Sequence, residues 1–547
     1  MEATVAKNPA RRTLQLLIAA VVLAVITACG GGSDPTQDRI NDPDPNINPT
    51  GMPIVKDKIT ISMMTPRYAG TAEDWNTVAS MKRMEELSNV HVDWGLIPWE
   101  SGSEKVNLAL ASGDYPEVLH RANLSAVDVA RYGDQGTFLA LNDLIDNYMP
   151  NLKAVMDENP EIRRGMTFPD GNIYSLPTIY DADFDSLMMQ QKLWVRQDWL
   201  DKFGMDVPET IDEFEAYLKA VVTQDPNGNG KADEIGASSV GAGDALFYMF
   251  RGTFGIGNRG VAAGNLDADE QDQLRFWPAS DGYRDFLEWM SHLYAEGLIQ
   301  EDLFSNDDTK FRTRGAEGVF GAVAAQTPEN YFGKEGENYV ALPPLKRNAS
   351  DPVPSWNAVG TPLTSIGQFV ITDASEHPIE TARWMDYFYS DEGARLFFMG
   401  IEGESYEEKA DGSFEFLPVI TDNPDGLSEA DARRPYVTYA GGRYPGLLKE
   451  EYFKGAEASE QARQGTTKVA PHRIDEVWPK FTYSPEEAPE LSALEVDITK
   501  LVTETRDKVI AGQMSVQDWD TYLSQLDRAG LERYLEIQRA ALDRYRS

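Results

Sequence analysis

The feature that most constrains the fold is an alternation of two periodicities early in the chain. Lys58-Ile59-Thr60-Ile61-Ser62-Met63 has the period of two expected of a half-buried strand. Trp75, Val78, Met81, Met84 and Leu87 then fall on roughly one helical face. Val90, Val92, Trp94 and Leu96 alternate again, Val106 to Ala111 predicts a helix, and Glu117-Val118-Leu119 a third strand. The order is βαβαβ, which builds a parallel, doubly wound sheet with ligands beyond the carboxyl ends of its strands. The turns that matter are therefore Thr65-Pro66-Arg67-Tyr68 and Ile97-Pro98-Trp99-Glu100.

Upstream, Lys7, Arg11 and Arg12 precede an uncharged apolar run from Leu14 to Ala28, too short to span a bilayer and of the length of a signal-peptide core. The run ends at Cys29, the only cysteine. Ile26-Thr27-Ala28-Cys29 resembles a bacterial lipobox, which implies cleavage before Cys29, acylation of its thiol and a lipid anchor on the bacterial cell membrane, at its periplasmic or extracellular face. An exported chain with one thiol makes no internal disulfide, so the acylated role also accounts for the cysteine count. Residues 29–53 are rich in Gly, Asp, Asn and Pro and predict a flexible tether.

Beyond Trp194 the pattern is mostly helical. Thr210-Ile211-Asp212-Glu213 is a capping box opening a helix with Phe214, Tyr217, Leu218 and Val221 on its buried face. Trp519, Tyr522, Leu523 and Leu526 predict a helix near the C-terminus, broken at Gly530 before another. With 547 residues, 41% of them hydrophobic, the chain can bury large cores without disulfide staples. Against 50 Lys and Arg stand 89 Asp and Glu, a net charge of −39, which argues against nucleic-acid backbones and anionic membrane surfaces and favours neutral or cationic ligands.

One motif points to a metal. Asp225-x-Asn227-x-Asn229-Gly230 reproduces positions 1, 3, 5 and 6 of a calcium loop, although Gly236 stands where the bidentate Glu of position 12 belongs. Asp233 and Glu234 can supply that carboxylate earlier, and an ion there would be structural. Gly255-Ile256-Gly257-Asn258-Arg259-Gly260 matches a dinucleotide fingerprint in letters only, without a preceding strand, and is read as a loop. The five histidines lack zinc spacing, and there is no nucleophile elbow.

Several segments in order carry a resemblance: Ser112-Gly113-Asp114-Tyr115-Pro116-Glu117-Val118, Asp170-Gly171-Asn172-Ile173-Tyr174, Arg196-Gln197-Asp198-Trp199-Leu200, Asp225 to Gly230, Gly400-Ile401-Glu402-Gly403 and the tail around Trp519 and Gly530. Together they resemble the extracellular solute-binding lipoproteins of carbohydrate ABC transporters, in the branch of alginate-oligosaccharide binders. The resemblance implies a non-enzymatic α/β protein of two lobes, the type II-like periplasmic-binding fold, with doubly wound sheets, a multi-strand hinge and a helix-rich C-terminal part. It implies an oligosaccharide in the cleft, delivery to ABC permease subunits, action as a monomer, and a calcium ligand set of Asp225, Asn227, Asn229, the carbonyl of Lys231, Asp233 and Glu234. The lobes are expected at 54–179 with 358–420 and at 180–357 with 421–547. The alternative from another class is a surface glycoside hydrolase or polysaccharide lyase; a third reading keeps the fold and binds a peptide or other solute.

Sugars present apolar ring faces and a rim of hydroxyls, so a binder needs flat aromatics and polar side chains in its cleft. Trp75, Trp289, Trp384 and Trp519 sit at helical spacing and are expected in the core, as is Trp199. The candidates for ligand contact lie in turns and irregular segments, where packing competes as an explanation: Arg67, Tyr68, Trp99, Tyr180, Gln326, Trp356, Tyr436, Tyr439, Arg443 and Tyr444.

Overall fold

The structure, a computed structural model, describes residues 39–41, 43–241 and 243–547. The leader and Cys29 lie outside the described residues. Among those described, no helix is long and apolar enough to cross a membrane.

The first lobe is built as its periodicity predicts. Strands β1 (Ile59–Arg67), β2 (Val90–Pro98) and β3 (Val118–Leu124) are parallel, with β1 between the others, and α1 (Ala79–Ser88) and α2 (Gly102–Ser112) make the crossovers. Trp75, Val78, Met81 and Met84 are buried against this sheet, which is why the helical face recurs every three or four residues. Ser125 caps α3 (Ala126–Asp134), which leaves the end of β3. The sheet is completed by β4 (Leu176–Tyr180) and by two strands that return from much later in the chain, β11 (Leu363–Ile371) and β14 (Gly446–Leu448). Its order is β14-β4-β11-β3-β1-β2, with β11 antiparallel between β3 and β4 and β14 at the edge.

The second lobe holds a four-stranded sheet of β5 (Lys192–Arg196), β6 (Ile235–Ser239), β9 (Phe320–Ala325) and β10 (Tyr339–Ala341), in the order β10-β5-β9-β6. Between β6 and β9 a hairpin of β7 (Leu266–Ala268) and β8 (Leu274–Phe276) receives the loop at Gly257, whose N–H donates to the buried Asp267 at 2.8 Å. Thr210 and Glu213 form the capping box of α4 (Ile211–Thr223). The helices α5 (Asp281–Ala295), α6 (Glu487–Ile510), α7 (Trp519–Arg528) and α8 (Leu531–Arg546) share the second lobe's core. Back in the first lobe, β12 (Tyr406–Glu408) and β13 (Phe414–Phe416) make a hairpin.

Three features depart from expectation. Residues 421–453 belong to the first lobe, because Tyr444, Leu447, Leu448 and Phe453 pack into its core, and the chain enters the second core only by Val469. The first switch falls between Met188 and Met189 and the second between Val359 and Leu363. The crossing segments are irregular rather than regular strands: Gly360 N–H donates to Met188 O at 2.7 Å, and Trp356 pairs with Arg473 through an isolated bridge. The part of the predicted tether from Pro43 to Pro53 is also packed: Ile47 bridges Val55, and Arg383 donates to the carbonyls of Asn48 and Gly51. Polar composition hid these contacts because the lobe reads this segment through its backbone carbonyls.

Candidate functional site

A cavity of about 880 Å³ lies between the lobes. Its first-lobe wall comprises Asn123 to Val127 at the end of β3, Tyr180 at the end of β4, Leu363 to Ile366 on β11, and Arg443. Its second-lobe wall is formed by Gln191, Tyr248, Arg251 and the loop 261–266, with Tyr483, Tyr534 and Gln538 from the C-terminal helical region. The carboxyl ends of parallel strands open onto this space, as a doubly wound sheet requires. Such a mixture of rings, amides and hydroxyls can hold a polyhydroxylated solute.

Beside it, the two watched turns meet. Tyr68 and Trp99 stack with ring centroids 4.3 Å apart and planes at 26°. The Arg121 guanidinium lies 5.2 Å from the Tyr68 centroid and 5.4 Å from that of Trp99. Arg121 is buried and donates to Arg443 O at 3.2 Å and Gly441 O at 3.1 Å, so it ties the aromatic pair to the Gly-rich loop. Its backbone φ of 52°, like the 51° of Asn123, lies in the left-handed region. Strain of this kind is found where a strand end is bent to serve a site. Arg67 holds the turn below, donating to Tyr68 O and Thr71 O.

The remaining candidates separate. Tyr180 and Arg443 line the cavity, and burial pushes the Tyr180 hydroxyl pKa up. Gln326 lies at the end of β9 and donates to Glu457 Oε1 at 3.1 Å. Burial raises the Glu457 pKa and lowers that of buried Lys192 to about 7, so both groups at this crossing are pushed toward their neutral forms. Tyr439 is half-buried among Phe397, Phe398 and Phe453, and Tyr436 is half-buried where its carbonyl accepts from Ser80 N–H at 3.1 Å. Two candidates are corrected to core packing. Trp356 is 2% exposed in the second-lobe core, and Tyr444 is fully buried, stacked on Phe397 at 4.1 Å with its hydroxyl donating to Leu447 O.

Residues that sequence reasoning missed include Arg121, Asn123, Gln191, Tyr248 and Arg251. Arg251 carried a signal: it ends the apolar run Ala245 to Phe250, where a charge needs a reason. Trp75, Trp199, Trp384 and Trp519 are buried and Trp289 packs against Phe250, as their spacing predicts.

The loop at Asp225 is a compact oxygen-rich turn away from the cavity. Asp225 Oδ1 and Oδ2 accept from the N–H groups of Asn229 and Gly230, and the side-chain amides of Asn227 and Asn229 donate to Asp233 at 3.1–3.3 Å. The Glu234 pKa is raised by burial, with the like charges of Asp225 and Asp233 adding to it. Among the described residues no three His, Cys, Asp or Glu side chains converge as a metal cage.

Two lobes with a cavity of this lining between them make the architecture of a protein that binds a solute. The chain belongs to the bacterial extracellular solute-binding proteins, whose family model matches residues 76–395, more than half of it. It is a binding protein rather than an enzyme. It is similar to the fructooligosaccharide ABC transporter substrate-binding protein FusA of Streptococcus pneumoniae, at 28% identity over 542 residues and 96% of each chain. A solved structure of a FusA EF-hand mutant in complex with fructo-nystose matches with a TM-score of 0.73 and 26% identity, covering 89% of this chain and 99% of that one. The alginate-binding protein AlgQ2, solved without calcium ion, shares the fold at a TM-score of 0.66 and 21% identity, over 89% and 99% of the two chains.

Proposed function

We propose that this chain is the substrate-binding component of an ABC importer, that it captures an oligosaccharide between its lobes, and that it hands the sugar to a membrane permease. The observation that carries the reading is the inter-lobe cavity, walled by Tyr180, Tyr248, Tyr483 and Tyr534 and flanked by the Tyr68–Trp99 stack. Likeness to FusA over nearly the whole chain supports it. Rings of this kind stack on pyranose or furanose faces, and Asn123, Gln191, Thr364 and Gln538 offer hydroxyl partners. Anchoring through acylated Cys29, in a periplasmic or extracellular setting and as a monomer, completes the reading.

The loop Asp225, Asn227, Asn229, Lys231, Asp233 and Glu234 is proposed to hold a structural calcium ion. Its donors are hard oxygens at alternate positions, the preference of calcium. Burial raises the Glu234 pKa and the like charges of Asp225 and Asp233 add to it, a repulsion that a cation would relieve. The FusA and AlgQ2 structures, one an EF-hand mutant and the other without calcium ion, support such a site by likeness.

Calorimetric titration of the mature protein with a panel of oligosaccharides that includes kestose tests the reading. One-to-one binding of an uncleaved sugar is expected. Release of new reducing ends on prolonged incubation would instead favour hydrolysis.

A further inference from the structure

Arg121 carries two costs at once. Its backbone φ of 52° lies in the left-handed region, and Asn123 repeats this at 51° two residues on. Its side chain is buried, and among the described residues no carboxylate pairs with it. The guanidinium is met instead by two backbone carbonyls, Arg443 O at 3.2 Å and Gly441 O at 3.1 Å, and by the rings of Tyr68 and Trp99, while Nη1 has no partner. Backbone strain and a buried charge without a counter-ion persist only where the surroundings hold them in place. A residue needed only to fill this space would be apolar.

What Arg121 holds is the loop 439–443. This loop rests directly on Tyr68: a Cβ on Gly442 would fall 2.5 Å from the Tyr68 hydroxyl. Gly441 at φ 104° and Gly442 at φ 75° both take conformations that favour glycine. Past the loop, Tyr444 is fixed independently, buried in the first-lobe core with its carbonyl accepting from Thr178 Oγ1. Arg121 therefore joins three pieces far apart in sequence, the turn after β1, the turn after β2 and the loop before β14. Arg443 of that loop is exposed and lines the inter-lobe cavity, whereas Arg121 itself does not.

We propose that Arg121 is a positioning residue for solute binding. It does not touch the solute; by holding the carbonyls of Gly441 and Arg443 it fixes the 439–443 loop against the Tyr68–Trp99 stack and presents the Arg443 guanidinium to the cavity. The inference rests on the oligosaccharide reading above, in which Arg443 donates to sugar hydroxyls. A donor already held in place binds without the entropic cost of ordering its loop, so affinity depends on a residue outside the cavity wall.

The test is Arg121→Met in the mature protein, which keeps a buried stem and removes the donors and the charge. An apolar replacement of a buried ion is often neutral for stability, so the melting temperature is expected to stay close to the parent's. Trypsin cleavage after Arg443 should rise about 10-fold or more as the loop detaches. In calorimetry with kestose and the other oligosaccharides, Arg121→Met should weaken binding roughly 5- to 50-fold and Arg443→Gln about 2- to 10-fold, with the double variant no weaker than Arg121→Met alone. Should Arg121→Met fail to fold, Gly442→Ala lifts the loop off Tyr68 without altering Arg121 and is expected to abolish the Arg443→Gln effect in the same way. Cleavage unchanged in the folded variants, or two affinity losses that multiply in full, would overturn the proposal and return Arg121 to packing. A parent silent with every oligosaccharide would overturn the oligosaccharide reading and the affinity effect with it, while the cleavage assay still decides whether Arg121 holds the loop.

Discussion

Trp99 in the first lobe and Trp356 in the second present the same sequence signal, a large aromatic in an irregular segment, and the fold gives them opposite environments. Trp99 is half-buried on a turn beyond β2 and stacks on Tyr68 beside the cleft. Trp356 lies in a crossing segment and is 2% exposed, its backbone N–H donating to His472 O at 2.6 Å. The difference is one of what lies overhead. A turn at the end of a sheet has solvent or ligand above it, whereas a crossing is covered by the chain that crosses beside it. Absence from a periodic face thus says that a residue is not on a regular element, and nothing about its exposure.

The comparison is broken most severely by truncating the buried partner. Trp356→Ala should cost about 3–5 kcal/mol of stability, read by denaturant unfolding. If the loss is under about 1 kcal/mol, Trp356 belongs with the cleft after all.

Calcium sharpens the contrast from the second lobe, where the Asp225 loop precedes β6. With a dissociation constant of roughly 10 μM, about 1 mM calcium would stabilise by about 2.7 kcal/mol. A chelator should therefore lower the melting temperature by a few degrees. Asp225→Ala should remove the calcium dependence, and identical thermal scans with chelator and with calcium would count against the ion.

On the cleft side the effect moves from stability to affinity. Trp99→Ala should weaken oligosaccharide binding by about 1–3 kcal/mol, roughly 5- to 150-fold, while barely shifting the melting temperature. Paired calorimetry and thermal unfolding separate the two outcomes.

A pH-dependent effect, absent near neutrality, belongs to the first-lobe core beneath that turn. His120 is 4% exposed among Trp75, Trp94 and Phe369, and its pKa is lowered to about 3, by burial first and by the neighbouring Arg121 second. The unfolded chain takes up a proton near pH 6.5 that the native state refuses until about pH 3. Stability is therefore lost as pH falls through that window, by up to about 1.4 kcal/mol per pH unit from this group. His120→Gln should flatten the slope; an unchanged slope would assign it to carboxylates alone.

The first lobe was legible because its parallel strands and crossover helices each expose one face to a core, and the alternation marks it. The second-lobe sheet was not. Phe320 to Ala325 is buried at every position and Ile235 to Ser239 at nearly every one, with small residues that leave no polar face to alternate against. The insertion of β11 between β3 and β4 joins segments more than 180 residues apart, which no local pattern records. Turn position picked out Tyr180 and Arg443, which line the cavity, and Tyr68 and Trp99, which stack on each other at the ends of β1 and β2. It passed over Arg121 and Arg251, whose surroundings are set by segments distant in sequence.

The central claim is that an oligosaccharide is held between the lobes, and calorimetric titration of the mature protein followed by small-angle scattering of the same sample tests it most directly. The account predicts saturable one-to-one binding of an intact oligosaccharide with a smaller radius of gyration in the complex, and no response to a peptide library. An unchanged radius with no heat from any oligosaccharide, or a sugar recovered shortened, would contradict it.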